Sequence, residues 1–178
     1  LFHPRAFYRE AFVEERMDDT VTIDGCRFKS KILRQNLEKA FKVFFYLITV
    51  GPELENHAAA LGDPLRRYCM ECLADAALEA AAETLRARLL RESGFEMLSS
   101  MSPGSLENWP ITEQVPLFGL LGEGPAATGV RLTDSLMMLP RKSISGLFFP
   151  SEESFVSCRL CSRAKCPGRK AVFKGSSG

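Results

Sequence analysis

The sequence predicts an α+β fold, a mixed or antiparallel twisted sheet with long helices packed on it, and three observations support this. The run from Val43 to Val50 is too continuously apolar and too β-branched to be one face of a surface helix. A long alanine-rich stretch from Pro64 to about Arg91 opens on an N-cap residue and a first-turn proline. Two further strand-like runs, from Gly129 to Thr133 and from Ile144 to Phe149, lie far downstream, so strands and helices segregate instead of alternating.

Taken in order, Asp24-Gly25 between Val21-Thr22-Ile23 and Cys26-Arg27-Phe28 predicts a tight hairpin, because both central positions tolerate positive φ. Ile32, Leu33, Leu37 and Phe41 recur at helical spacing and predict a helix from Ser30 to about Lys42. The apolar run that follows is expected to be a central strand, stopped by Gly51-Pro52, with a short helical piece around Leu54 to Leu61. Asp63 then caps the long helix, whose core face is expected to carry Leu65, Tyr68, Cys72, Leu73, Ala76, Ala80 and Leu85. Alanines at 74, 76, 77, 80, 81 and 82 combine high helix propensity with little bulk, so another backbone or a ligand can come close. Glu79 and Glu83 stand within that zone, and Glu83 is spaced to pair with Arg86. Cys69 and Cys72 share a helix face, where Cys72 is expected to be core.

Residues 92–129 are rich in Ser, Gly and Pro and hold the single Trp, Trp109. Met101-Ser102-Pro103-Gly104-Ser105 predicts a turn whose glycine lets a ligand touch the main chain. One or two helical turns between Thr112 and Leu121 are expected to be broken by Pro116 and to end near Gly122. A loop containing Pro140-Arg141-Lys142 joins the two late strands.

Composition narrows the function classes. With 46% hydrophobic and 25% charged residues among 178, the chain is globular, neither disordered nor collagen-like. Lys+Arg 23 against Asp+Glu 22 leaves a net charge of +1, so no global field recruits nucleic acid or an anionic membrane, and neither is expected as a partner. No apolar stretch reaches the roughly 18 residues of a membrane span. Only His3 and His57 are present, and no glycine-rich nucleotide loop occurs, which argues against a histidine-based catalytic site. Five of the six cysteines fall in two clusters, Cys69/Cys72 and Cys158/Cys161/Cys166, instead of spreading along a small loop-rich chain, so a reducing, cytoplasmic setting is expected. The chain begins at Leu1, not Met, so residues upstream are expected.

The densest chemical signal is the run from Cys158 to Pro167, with Cys158, Cys161 and Cys166 as candidate ligands of a soft metal or an iron–sulfur cluster. Two thiols separated by two residues can face one ion through a tight turn. Cys69 or Cys26 could supply a fourth ligand. Arg159, Arg163, Lys165, Arg169, Lys170 and Lys174 crowd the same segment, charge that suits an anionic cluster, the commoner alternative being a solvated face. The expected organisation is therefore a domain over 1–156, a cysteine-rich tail over 157–174 and a flexible end over 175–178.

Three further segments carry a resemblance. They are the Ala- and Glu-rich stretch from Glu71 to Glu83, the pair Ser102-Pro103-Gly104 and Trp109-Pro110-Ile111-Thr112-Glu113-Gln114, and the run from Thr128 to Ser135 followed by Pro140 and Ser143-Ile144-Ser145-Gly146. Together, over roughly residues 65–156, they resemble the activation domain of cobalamin-dependent methionine synthase, which binds S-adenosylmethionine and re-methylates oxidised cobalamin. The resemblance implies a stand-alone form of that module with an added cysteine motif. It places Glu79 where the family's helix carboxylate holds the ligand's ammonium group, and Ser102, Pro103 and Gly104 where its loop offers main-chain groups to the adenine and methionine moieties. Ser100 stands where the family has an arginine for the ligand carboxylate, and Ser105 where it has a tyrosine. Phe155 falls beside a family aromatic that carries a hydroxyl. Loss of the arginine removes a contact worth about 1.5–3 kcal/mol, roughly ten- to a hundredfold in affinity.

The implied partners are a cobalamin-binding methionine synthase core or another corrinoid protein, and a ferredoxin or flavodoxin-like electron donor. An electron is needed because inactive Co(II) must be reduced before it is methylated. A cluster on the tail could receive it, whereas zinc there would be structural only. The alternative expectation is a non-catalytic, metal-stapled interaction module that kept the fold and lost S-adenosylmethionine. An independent methyltransferase is disfavoured because no general base lies near the ligand loop.

Overall fold

The structure, a computed structural model, describes residues 3–163, 165–166 and 169–174. The expectation for 175–178 lies outside the described residues. The chain opens with a long strand, β1 (Arg5–Met17), and the hairpin β2 (Thr20–Ile23) and β3 (Cys26–Lys29). Asp24 and Gly25 adopt φ of 45° and 73° in its turn, as the Asp-Gly pair predicts. A single-turn helix, α1 (Lys31–Asn36), leads to β4 (Lys42–Thr49). The helices α2 (Glu53–Ala60) and α3 (Pro64–Ser93) follow, then β5 (Leu98–Met101), α4 (Gln114–Leu121), α5 (Gly124–Thr128), the two-residue strands β6 (Arg131–Leu132) and β7 (Met138–Leu139), and β8 (Ser143–Pro150).

Six strands form one antiparallel sheet in the order β3-β2-β1-β4-β8-β5. The first part of β1 (residues 5–12) pairs with β4 and the remainder, past an irregularity between Val13 and Glu15, with β2. A strand that changes partner half-way bends, so the sheet curls. As predicted, β4 is central, with seven of its eight residues buried. Its Phe44, Tyr46 and Ile48 meet Leu78, Leu85 and Leu89 of α3 on one face. Val43, Phe45 and Leu47 meet Trp109, Leu117 and Leu121 on the other.

Four expectations are corrected. The helix expected from Ser30 to Lys42 ends at Asn36: beyond it the bonds tighten to i to i+3, Glu38 N–H to the Gln35 carbonyl (3.3 Å) and Ala40 N–H to the Leu37 carbonyl (3.2 Å), and the Arg16 guanidinium donates to the carbonyls of Leu37 (2.8 Å) and Ala40. Phe41 is already part of the sheet edge, its carbonyl accepting the Val13 N–H at 2.9 Å. The run from Gly129 to Thr133 yields only β6, which pairs with β7 outside the main sheet. Pro116 does not break α4, since it lies in the first turn, where a proline needs no helical hydrogen bond.

The fourth correction concerns α3. Asp63 caps it as expected, accepting from Leu65 N at 2.9 Å, and Gly94 ends it at φ 73°. The buried residues, however, are Ala74, Leu78, Leu85 and Leu89. Leu65, Tyr68 and Leu73 are exposed, as is Cys72, which is therefore not core. Two apolar stripes interleave on this helix, and the one carrying Leu78, Leu85 and Leu89 meets the sheet, with Lys142 pairing to Glu71 (2.8 Å) and Asp75 (2.7 Å) beside it. Arg141 adds a pair to Glu55 of α2 and one to Glu71 at 3.1 Å.

Candidate functional site

The Ser-Pro-Gly segment is a type II turn. Pro103 and Gly104 are its central residues, Gly104 has φ 79°, and the Ser105 N–H donates to the Ser102 carbonyl at 3.2 Å. The Ser105 hydroxyl donates to the same carbonyl at 2.6 Å. Gly104 N–H donates to the Trp109 carbonyl at 2.7 Å, so the loop closes on the fully buried Trp109. Pro103 is buried, while Gly104 and Ser105 are exposed, their N–H groups taken by the Trp109 and Ser102 carbonyls.

Gly146 explains where this turn sits. A Cβ there would come within 2.3 Å of the Met101 carbonyl oxygen, 2.6 Å of Ser102 Oγ and 2.8 Å of the Tyr46 hydroxyl. The glycine of the Ser-x-Ser-Gly run thus lets the chain leave β5 directly over β8. Tyr46 Oη lies 3.3 Å from Ser102 Oγ. Burial pushes the Tyr46 phenol above its ordinary value, with the Ser102 bond pulling the other way. Tyr46 belongs to the same cluster as Leu78, so the turn begins on the sheet face that α3 covers. Register adds Ser100 to that face, because it pairs with Phe148 of the same cluster, and it is exposed.

Glu79 projects from α3 beside Leu78 and is more than half exposed, and its Oε1 pairs with the Lys170 ammonium. Glu83 pairs with Arg86 at 2.5 Å, as its spacing predicts. On the α3 side of the sheet, register and the Tyr46 contact place Ser100 and Ser102, and Glu79 projects from α3 itself; Pro103, Gly104 and Ser105 follow in the turn, which closes on Trp109 of the opposite-face cluster. Phe155 is not on the α3 side: its N–H donates to Ser99 Oγ at 2.9 Å, and its ring packs 6.3 Å from that of Phe149 on the opposite face.

The tail is organised by a residue the sequence does not single out. The Arg169 guanidinium donates to the carbonyls of Cys158 (3.0 Å), Cys161 (3.2 Å) and Ala171 (3.2 Å), and also to that of Arg163. Lys170 N–H donates to Cys158 Sγ at 3.3 Å. Among the described residues no three His, Cys, Asp or Glu side chains gather as a metal-binding group, so Cys158, Cys161 and Cys166 as placed do not form one. Cys69 is exposed on α3, and Cys26 is half-buried on edge strand β3, where burial, then Glu113, pushes its thiol up.

An open groove of about 790 Å³ lies elsewhere, lined by Gln35, Lys39, Phe95, Met97, Phe149 and Glu152 among others. It contains none of the predicted site residues. Of the groups missed by sequence reasoning, Tyr46 had a signal, a lone hydroxyl within an otherwise apolar run except for Thr49, and Lys170 was one of six basic residues with nothing to mark it. No helix among the described residues is long and apolar enough to cross a membrane.

No family model and no curated protein sequence matches the chain. Among solved structures, a crystal structure of the MetH reactivation domain bound to AdoHcy superimposes with a TM-score of 0.65 at 22% identity, over 88% of this chain and 62% of that one. The fold is that of the MetH reactivation domain. This chain thus spans less than two thirds of that protein's length. The curled six-stranded antiparallel sheet with α3 across one face is the shared architecture.

Proposed function

We propose that the chain is a reactivation module for a cobalamin-dependent methionine synthase or another corrinoid protein, with S-adenosylmethionine as methyl donor. The observation that carries this is the shared fold with a reactivation domain that binds AdoHcy, the demethylated form of that donor, together with the Ser-Pro-Gly turn, which starts from the α3 side of the sheet at Ser102 and exposes Gly104. Glu79 holds the ligand's ammonium, the carboxylate matching a fixed positive charge by a charge-assisted hydrogen bond. The main chain of Ser102, Pro103 and Gly104 borders the adenosine and methionine moieties, and Ser100 and Ser105 flank them.

In the reaction, one electron from a ferredoxin or flavodoxin-like donor reduces the partner's Co(II) to Co(I). The Co(I) electron pair then attacks the sulfonium methyl. A cobalt–carbon bond forms, the carbon–sulfur bond breaks with its pair staying on sulfur, and S-adenosylhomocysteine leaves. The module's part is to hold the sulfonium in a shallow, open position that a second protein's cobalt can reach, which is positioning and not acid–base chemistry. Cys158, Cys161 and Cys166 do not gather as placed, so we infer uptake of a soft metal or an iron–sulfur cluster only with a rearrangement that brings the three thiols together. Metal content and a band near about 400 nm after anaerobic purification test that claim by itself.

The test of the function is a methylation assay. With a corrinoid protein in the Co(II) state, a chemical reductant and S-adenosylmethionine, the module should restore the methyl–cobalt absorption spectrum, and Glu79→Gln should slow it. No methyl–cobalt formation with any corrinoid partner, and no heat on titration with S-adenosylmethionine, would instead favour an interaction module that lost the ligand, the reading that Ser100 and Ser105 support.

A further inference from the structure

Lys170 is 91 positions from Glu79 in sequence, yet its ammonium lies on the Glu79 carboxylate. We propose that Lys170 is a binding residue of the same site, taking the carboxylate of the ligand's amino-acid end from the tail. The inference rests on the reading of Glu79 as the ammonium seat.

An α-amino acid terminus carries an ammonium and a carboxylate on one carbon, so a site for it needs both signs of charge within one residue's reach. The Glu79–Lys170 pair supplies both. Valence permits the insertion without breaking the pair. A lysine ammonium has three donors and this contact uses one, while Glu79 Oε2 has no hydrogen-bond partner among the described residues. The ligand ammonium goes to that free oxygen and the ligand carboxylate to the remaining lysine donors. Ser100 stands exposed on the same sheet face but carries no charge.

Lys170 does not hang from a loose end. Its own N–H is tied to Cys158 Sγ, and its neighbour Arg169 holds the carbonyls of Cys158, Cys161 and Arg163 together. The thiol segment therefore aims the ammonium at α3. Both side chains of the pair are more than half exposed, at 64% and 58%, so the pair itself contributes little to stability and its removal leaves the fold intact.

The same contact would fit a plug, in which Lys170 competes with the ligand ammonium for Glu79. The two differ in sign. Calorimetric titration of the full chain with S-adenosylhomocysteine, and with 5′-methylthioadenosine as a nucleoside thioether lacking the amino-acid end, separates them. Lys170→Ala should weaken S-adenosylhomocysteine about tenfold. Lys170→Arg should keep most of the affinity, and 5′-methylthioadenosine should bind both variants like the wild type. Unchanged or tighter S-adenosylhomocysteine binding by Lys170→Ala, with Glu79→Gln still weakened, overturns the inference and leaves Glu79 as the ammonium seat. An unaffected Glu79→Gln, or a wild type that binds neither compound, overturns the Glu79 reading and the inference with it.

Discussion

Replacing Gly146 with alanine tests how the turn is seated. The added Cβ would stand 2.3 Å from the Met101 carbonyl oxygen, against an ordinary contact of more than 3.4 Å, so backbone on one strand or the other must move by about an ångström. Two side-chain oxygens, Ser102 Oγ at 2.6 Å and Tyr46 Oη at 2.8 Å, close the remaining directions. Overpacking of this kind costs about 1–3 kcal/mol, partly offset by about 0.5–1 kcal/mol from the lower chain entropy of unfolded alanine. The net expectation is a loss of up to about 2.5 kcal/mol, with Ser102 and the Pro103-Gly104 turn displaced. Urea unfolding gives the first quantity, and titration with S-adenosylhomocysteine of protein that is still fully folded gives the second. If Gly146→Ala were as stable as the parent and bound as well, the close approach of β5 and β8 argued here would be refuted.

Two other expectations concern α3. Leu89→Ala, at a position 1% exposed, should cost about 2–5 kcal/mol in urea unfolding, whereas Leu73→Ala, 53% exposed, should stay within about 0.5 kcal/mol; equal losses would contradict the helix face. Hydrogen bonding from Lys142 holds the Glu71 carboxyl below its usual value of 4.5, burial acting against it, with the charges of Lys142 and Arg141 adding to the lowering. Because the folded value is the lower one, this stabilisation is full above about pH 4.5 and is lost as pH falls through the folded value. Glu71→Gln should therefore flatten the acid limb of stability and cost about 1 kcal/mol at neutral pH, and an unchanged acid limb would count against the pair.

The parts of the fold legible in sequence are those where local chemistry leaves one choice. Asp24-Gly25 admits a tight turn, the β4 run has no polar face to expose, and Asp63-Pro64 can open a helix but not continue one. The illegible parts are set by distant partners. Strand β1 mixes charged and apolar residues without strict alternation, and its pairing is decided by β4 and β2. Which stripe of α3 is buried is decided by β4, whose Phe44, Tyr46 and Ile48 receive Leu78, Leu85 and Leu89, partners that no local pattern in the helix names. At the candidate site, the Pro-Gly turn is written in its residue types, and Gly146 becomes intelligible only when β5 lies over it. The placement of Phe155 on the other face follows from Ser99 facing that way, a matter of register that no local pattern encodes.

The central claim is the proposal that Glu79 and the Ser102–Ser105 turn hold the ligand, and not the groove beside Phe149. Titration of ¹⁵N-labelled protein with S-adenosylhomocysteine, followed by amide chemical shifts, tests it most directly. The account predicts shifts centred on Ser102, Gly104, Ser105 and the amides around Glu79. Shifts centred instead on Lys39, Phe95, Met97 and Glu152 would contradict it.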